Sequence, residues 1–277
     1  MATSNKTTIA FVVLTWNSEE YIQRCLNSIL GFEDICTYVY VVDNGSTDST
    51  VSLLREYEGN ERVRVDCLPT NMGTTISRNI ALKRVPEAVD AICILDSDTQ
   101  VNEAAFTTMM AALRSDRTIG VMGPTMSNSA GDVQLSGRNL PSVKSKLLKA
   151  LPLRRISEHG SRLEIPSAPI LSGLQDVDYL LSACWLMPKE VVDVVGYLDE
   201  KIFYAPEDVD YCVRIHRAGY RVVRCHYASI LHEYQRISKK KLLSRMNVEH
   251  IKGLAYYFSK YGYLFDSSKA INPQGKE

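Results

Sequence analysis

No stretch of this sequence approaches the roughly 18 consecutive apolar residues that a membrane-spanning helix needs. Met1–Thr8 is polar, and the apolar run Ile9–Leu14 is too short for the core of a signal peptide. The seven cysteines are an odd number, with no Cys-x-x-Cys pair and no zinc-ligand spacing. Cys25, Cys93 and Cys184 lie inside apolar patterns and read as core thiols, so the expected compartment is a reducing cytoplasm. No charge of one sign dominates: 32 Lys and Arg balance 32 Asp and Glu, and nothing global points to a nucleic-acid partner. Neither G-x-G-x-x-G nor G-x-x-x-x-G-K-[ST] occurs, which disfavours a dinucleotide enzyme and a P-loop NTPase.

What is present is a repeated unit. At 277 residues, 45% hydrophobic and 23% charged, the chain can form one large α/β domain, alone or with a smaller appendage. Ile9–Thr15, Tyr38–Val42 and Ala91–Leu95 read as buried strands of a parallel sheet, and Val63–Leu68 as another strand. Helices are expected after Glu20, over roughly Ser49–Tyr57, and after the Asn71–Asn79 stretch. In the first, Tyr21, Ile22, Cys25, Leu26 and Ile29 mark one apolar face, and Asn17 with Glu20 suits a capping box. Strand, polar loop and helix thus recur, which implies a parallel sheet with right-handed crossovers.

Each strand ends in a loop rich in Asn, Asp, Ser, Thr and Gly. Any one of them is explained by a turn and a helix cap. Together they would line the carboxyl edge of the sheet, where open α/β sheets bind ligands. Backbone amides, helix N-termini and carboxylates there suit a nucleotide diphosphate and its metal. Asp96 and Asp98 stand at that edge. Side chains two apart on an extended segment share a side, so both carboxylates would project toward one point. Paired hard oxygens suit Mg²⁺ or Mn²⁺; the plainer reading is a solvated Asp-Ser-Asp turn.

In that order, Val12–Glu20, Val41–Asp48 and Asp96-Ser97-Asp98 resemble the nucleotide-binding half of the inverting family-two glycosyltransferases. That family has the GT-A fold, an α/β fold with a mainly parallel central sheet flanked by helices. The resemblance implies that Thr15, Trp16, Asn17, Glu19 and Asp43 lie at the base and ribose of a nucleotide sugar. Gly73 and Arg78 would lie near its ribose or diphosphate. Asp96, with Ser97 beside it, would contact ribose or metal, and Asp98 would be the direct metal ligand.

Beyond a strand at Ile119–Gly123, regularity drops. Thr125–Gly173 is rich in Ser, Gly and Pro and carries Lys144, Lys146, Lys149, Arg154, Arg155 and Arg162. Val143, Leu147, Leu148 and Leu151 can form one side of a short amphipathic helix; the segment as a whole is expected to be a mobile loop over the acceptor site. Tyr179–Met187 reads as one buried strand, and Pro188 opens a helix with Val191, Val192 and Val195 inward. Taken alone, the acids after Pro206 complement the positive end of a helix dipole. Gly196–Arg214, followed by Gly219-Tyr220, resembles the family's second signature, closest to bacterial rhamnosyltransferase-like members. Many of those carry Asn-Pro-Asp where this chain has Asp96-Ser97-Asp98.

A direct displacement needs a carboxylate to take the acceptor hydroxyl's proton. The resemblance implies that this base lies in the Glu207/Asp208 pair. Asp208 is the first choice and Glu207 the second, with Asp210 supporting and Trp185 shaping the acceptor side. After a last strand, Arg221–Leu231, the family's metal-site histidine falls at His232, with His226 the weaker candidate.

The expected organisation is a catalytic domain over 1–235, with a nucleotide-binding half (1–100) and an acceptor-binding half (101–235), then an extension over 236–277. In 236–265, Arg236, Lys239, Lys240, Lys241 and Arg245 precede Tyr256, Tyr257, Phe258, Tyr261, Tyr263 and Phe265. Basic residues beside aromatics suit peripheral contact with an anionic membrane, here the inner face of the cytoplasmic membrane. A helix docked on the domain with a solvated basic face is the other reading. The expected activity is metal-dependent, inverting transfer from a dTDP- or UDP-sugar to a glycan or lipid-linked glycan in surface polysaccharide assembly. The alternatives are a sugar nucleotidyltransferase and a catalytically inactive glycan- or nucleotide-binding module. The first would want a glycine-rich basic loop that Thr15–Glu20 does not supply.

Overall fold

The computed structural model describes residues 6–151, 153–166, 172–234 and 245–272. The first half repeats strand and helix: β1 (Thr8–Thr15), α1 (Ile22–Leu30), β2 (Cys36–Asp43), α2 (Thr50–Leu54), β3 (Val63–Cys67), α3 (Thr74–Leu82) and β4 (Ala91–Asp96). β5 (Thr99–Gln100), α4 (Glu103–Ser115) and β6 (Ile119–Ser127) follow. The middle segment holds β7 (Val133–Gln134), β8 (Gly137–Arg138), α5 (Val143–Ala150) and α6 (Arg154–Arg162). Next come β9 (Leu174–Asp176), β10 (Tyr179–Leu180), β11 (Cys184–Pro188), α7 (Lys189–Val195), α8 (Glu207–Arg217) and β12 (Arg221–His232), then α9 (Arg245–Tyr261) and α10 (Ser268–Ile271).

The main sheet runs β3-β2-β1-β4-β11-β6-β12-β5. β1 to β4 are parallel, β11 is antiparallel to both β4 and β6, and β12 is parallel to β6. Helices cover both faces, so alternate residues of one strand enter different cores. Ile9, Phe11 and Val13 pack with Ile22, Leu26 and Phe106 on one side. Ala10 and Val12 pack with Leu82, Trp185 and Tyr211 on the other.

Three expectations need correction. Helix α1 does not begin in an Asn17/Glu20 capping box. Asn17 takes a left-handed φ of 50°, and its Oδ1 accepts from the Thr47 amide at 2.8 Å. Tyr179–Met187 is not one strand: it breaks after Leu180, whose carbonyl accepts from Trp185 Nε1 at 3.2 Å. Thr125–Gly173 holds more regular structure among its described residues than the loop expected as a whole. Besides the short helix anticipated from Val143, Leu147, Leu148 and Leu151, which is α5, it contains α6, and the two form a hairpin. The buried Glu164 carboxylate there accepts from Ser145 Oγ and from the Lys149 ammonium, and pairs with Lys146 at 3.2 Å.

The sequence reading also passed over α4. Its signals were present: Asn102 caps Ala105 N–H at 2.9 Å, and Phe106, Met109, Met110 and Leu113 form the buried face.

The C-terminal helix is docked on the domain, and this redirects the membrane expectation for 236–265. Tyr257, Tyr261 and Tyr263 are buried, and Lys260 and Tyr261 hold the buried Asp210 at 2.6 and 2.8 Å. Their burial leaves these tyrosines no membrane to face; of the aromatics named there, Phe265 is the strongly exposed one. A Cβ at Gly253 would sit 2.0 Å from the Ala205 carbonyl oxygen, so α9 also presses on the loop before α8. Arg236, Lys239, Lys240 and Lys241 lie outside the described residues, as does the Arg245 side chain.

Candidate active site

The carboxyl ends of β1, β2 and β4 open into a cleft of about 470 Å³. Trp16, Gly73, Arg78, Asp96, Ser97 and Asp98 line it from the first half of the chain, and Glu207, Asp208 and His232 from the second. The other expected contacts do not line it. Asn17 and Glu19 instead brace the first loop against the second: Glu19 Oε2 accepts from the Ser49 amide at 2.9 Å. Asp43 is buried and closes its own turn, accepting from the Ser46 amide at 3.0 Å. Thr15 is buried beside it, and its hydroxyl has no partner among the described residues.

Two acceptor-side expectations are corrected. Trp185 is fully buried, stacked on Tyr211 at 5.7 Å, because it stands on a strand packed between two others. It is core and cannot reach an acceptor. Asp210 is likewise buried, tied to Arg214, Lys260 and Tyr261, and does not line the cleft.

The two aspartates do converge, but not by strand alternation. β4 ends at Asp96, a turn takes up Ser97 and Asp98, and β5 follows. Thr99 Oγ1 closes that turn on the Asp96 carbonyl at 2.8 Å. β5 pairs antiparallel with the end of β12, setting His232 opposite Thr99. His232 Nε2 then lies 3.2 Å from Asp98 Oδ1, and its Nδ1 lies 2.6 Å from Gln134 Oε1. Asp96, Asp98 and His232 can each offer one ligand atom, all within 4.8 Å of one another. Two carboxylate oxygens and an imidazole nitrogen suit Mn²⁺ or Mg²⁺, and the amide oxygen on Nδ1 leaves Nε2 free to ligate.

Arg78 joins this cluster to the acidic pair. It is 2% exposed, and its Nη2 donates to Asp96 Oδ1 at 2.7 Å. Its Nη1 donates to Ser182 Oγ at 2.9 Å and to Glu207 Oε1 at 3.3 Å. Ser182 donates in turn to Glu207 at 2.9 Å. The break between β10 and β11 is what brings Ser182 here. The sequence reading did not single out Ser182, Gln134 or Asn44. Asn44 Oδ1 receives the Met72 amide and the Ser77 hydroxyl at 2.8 and 2.9 Å, holding the third loop against the second.

Burial raises the carboxyl pKa of Asp96, helped by Asp98 and opposed by Arg78. Burial likewise raises Glu207, with the Asp208 charge adding to it, and raises Asp208 against the Val209 amide and the charges of Lys146 and Arg138. Burial alone would lower His232, but the Asp98 carboxylate more than offsets it, so the imidazole is raised. Four carboxylates crowding one cleft are what a divalent cation would relieve.

Gly73 shows how tightly the third loop meets the second half. Its φ is 88°, and a Cβ there would lie 2.3 Å from the Phe203 carbonyl oxygen. The next amide, Thr74 N, donates to that same oxygen at 2.7 Å. Gly73→Ala is expected to cost about 1–3 kcal/mol in backbone strain alone, before the clash is relieved. Urea denaturation of the two proteins checks it.

Residues 10–167 match the family described as Glycosyl transferase family 2. The chain belongs to glycosyltransferase family 2. Across 269 residues the transferase is 25% identical to the N-acetylglucosaminyl-diphospho-decaprenol L-rhamnosyltransferase of Mycobacterium tuberculosis, covering 92% of this chain and 83% of that one. Among solved structures it resembles GalNAc-T7 with UDP, GalNAc and Mn²⁺ (TM-score 0.63, 17% identity, 84% of this chain and 45% of that one). It also resembles the mannosyltransferase of Pyrobaculum calidifontis with GDP-Man and Mn²⁺ (TM-score 0.60, 16% identity, 92% and 63%). These likenesses establish the GT-A fold of the family 2 enzyme. No helix among its described residues is long and apolar enough to cross a membrane.

Proposed function

We propose that this glycosyltransferase moves a sugar, with inversion, from a nucleoside-diphosphate sugar to a hydroxyl of a glycan or lipid-linked glycan in surface polysaccharide assembly. The observation that carries this reading is the Arg78 bridge. It ties Asp96, in the candidate metal cluster, to Glu207, in the acidic pair, across a single cleft. A donor diphosphate at the first and an acceptor hydroxyl at the second would meet between them. The lipid-linked acceptor is supported by the diphospho-decaprenol named for the mycobacterial relative. A dTDP- or UDP-sugar is the donor we favour; the structural relatives named above are bound to UDP and to GDP-Man.

Asp98, Asp96 and His232 would hold Mn²⁺ or Mg²⁺, which when bound neutralises charge developing on the leaving diphosphate. Trp16, Gly73 and Ser97 would contact the nucleotide. Asp208 would take the acceptor's proton. Glu207, protonated through neutral pH because burial raises it to about 8, keeps a second charge away from the base. Arg78 would hold Asp96 and Glu207 in place. Asn17, Glu19 and Asp43 would act by shaping the two loops around the base and ribose, and Thr15 offers an unpartnered hydroxyl there.

Gln134 would fix the His232 tautomer by accepting from Nδ1–H. Gln134→Leu is expected to weaken Mn²⁺ binding about 10–100-fold. Mn²⁺ titration calorimetry in the presence of a nucleoside diphosphate reads this directly. The reading as a whole is tested by incubating the enzyme with UDP-, dTDP- and GDP-sugars and a membrane lipid extract. Glycolipid product of inverted anomeric configuration from one donor supports it; donor consumption with retained configuration would refute the inverting step.

A further inference from the structure

The basic charge of this electroneutral chain is unevenly spread, and one concentration lies in the middle segment. Residues 143–166 carry six Lys and Arg against two Glu. The hairpin of α5 and α6 that they form is held from within, by Glu164 on Ser145, Lys146 and Lys149, and by Ser157 Oγ donating to the Lys149 carbonyl at 3.2 Å. Its outer side is different. Leu147 is 63% exposed, and Leu151 and Leu153, at the bend, are exposed as well. Lys144 lies one turn from Leu147 on the same face of α5, and Arg154 and Arg155 follow Leu153 directly; all three cations are exposed. Arg154 has only a surface pair with Glu158, and among the described residues Lys144 and Arg155 make no ion pair.

We infer that the tip of the α5–α6 hairpin docks on an anionic lipid bilayer. Leucines ringed by Lys and Arg fit that partner: the cations meet lipid headgroups while the apolar side chains enter the acyl boundary. A nucleic acid would satisfy the cations but leave the leucines in water, and stacking aromatics are absent from this tip. Neighbouring elements expose apolar residues too. His250 of α9 lines the cleft with Arg138, and Val248 and Ile251 on that helix are exposed. Leu264, whose carbonyl receives the Val143 amide at the start of α5, is exposed too.

The hairpin stands beside the acidic pair's end of the cleft: the Asn139 amide donates to the Glu164 carbonyl at 3.0 Å, and Arg138, next to Asn139, lines the cleft with Asp208. A bilayer there would present a lipid-linked hydroxyl to the base, so the inference rests for its use on the lipid-linked acceptor proposed above. The contact itself is a separate physical matter.

The test is flotation of the full chain with phosphatidylglycerol-containing vesicles and with pure phosphatidylcholine vesicles, at low and high salt. Wild-type protein should float with the anionic vesicles, less so at high salt. Leu147→Ser/Leu151→Ser/Leu153→Ser and Arg154→Ser/Arg155→Ser should each partition at least about tenfold more weakly. Both variants should keep the wild-type melting temperature and its rise with nucleoside diphosphate and Mn²⁺, because the altered residues are exposed. No flotation of the wild type would overturn the inference, as would both variants floating like it. So would capture by heparin that the leucine variant retains together with its vesicle binding, which would mark a general polyanion patch. Loss of flotation with an intact nucleotide response leaves the transferase reading standing; flotation without any nucleotide response removes that reading but not the docking surface.

Discussion

Asp208→Asn is expected to lower kcat by about 10²–10⁴ while leaving nucleoside-diphosphate binding unchanged. The substitution keeps the size of the side chain and its place at the start of α8, but cannot take a proton. Glu207→Gln should be far milder, staying within about tenfold of wild type at pH 7, because a carboxyl raised by burial to about 8 is already neutral there. The amide can still accept from Arg78 and Ser182. Steady-state kinetics on the two variants, with calorimetry for nucleotide affinity, separates the roles. A large loss in Glu207→Gln with a small one in Asp208→Asn would exchange them. Wild-type turnover in both would mean that neither acid is the base.

The largest stability effect is expected at Arg78. Arg78→Met should cost about 3–5 kcal/mol near neutral pH, since it leaves the Asp96 carboxylate without its cation and the buried Ser182 and Glu207 oxygens without their donor. The effect should depend on pH with a definite sign. The folded-state pKa of Glu207 already lies above its ordinary 4.5 because of burial, and Arg78 is the charge that holds it down. Removing that charge raises it further. A raised folded-state carboxyl binds more protons than the unfolded chain, so stability falls as pH rises from the unfolded value through the folded one. The Glu207 part of the penalty for Arg78→Met should therefore be flat from about pH 4 to neutrality and grow as pH rises through about 8, where the wild-type carboxyl ionises and the variant's stays protonated. Denaturant midpoints measured across that range would show it. A penalty independent of pH would mean that Arg78 acts by packing alone.

Much of this site is legible in the sequence because its parts follow single local rules. A buried strand ending in Asp-Ser-Asp puts acids at the carboxyl edge of the sheet whatever the turn that follows. The mechanism of their convergence was not legible: strand alternation would align them, whereas the structure uses a turn and a short strand paired to His232. Trp185 shows the limit from the other side. An indole in an apolar run carries no mark that separates a binding surface from a core, and its antiparallel place between two strands decided for the core. Asp210 was indistinguishable in type from its neighbours; its pairing with Lys260 of the C-terminal helix is what separates it from them. Ser182 meets Arg78 across 104 positions and Gln134 meets His232 across 98, separations that no local pattern discloses. The loops after β1 and β2 misled for a related reason. Asn17 resembles a helix cap in sequence, but its nearest unpaired amide belonged to another loop.

The most direct test is thermal melting of the enzyme with UDP, dTDP, GDP and CDP, each with Mn²⁺ or with EDTA. A ligand that binds only the folded state raises its melting temperature by mass action, by several degrees at about 100 times its dissociation constant. If Asp96, Asp98 and His232 hold a metal-bridged diphosphate, one nucleotide should produce that rise with Mn²⁺, and Asp98→Asn should abolish it. A rise that survives both EDTA and Asp98→Asn, or no rise with any nucleotide, would contradict the diphosphate site at its centre.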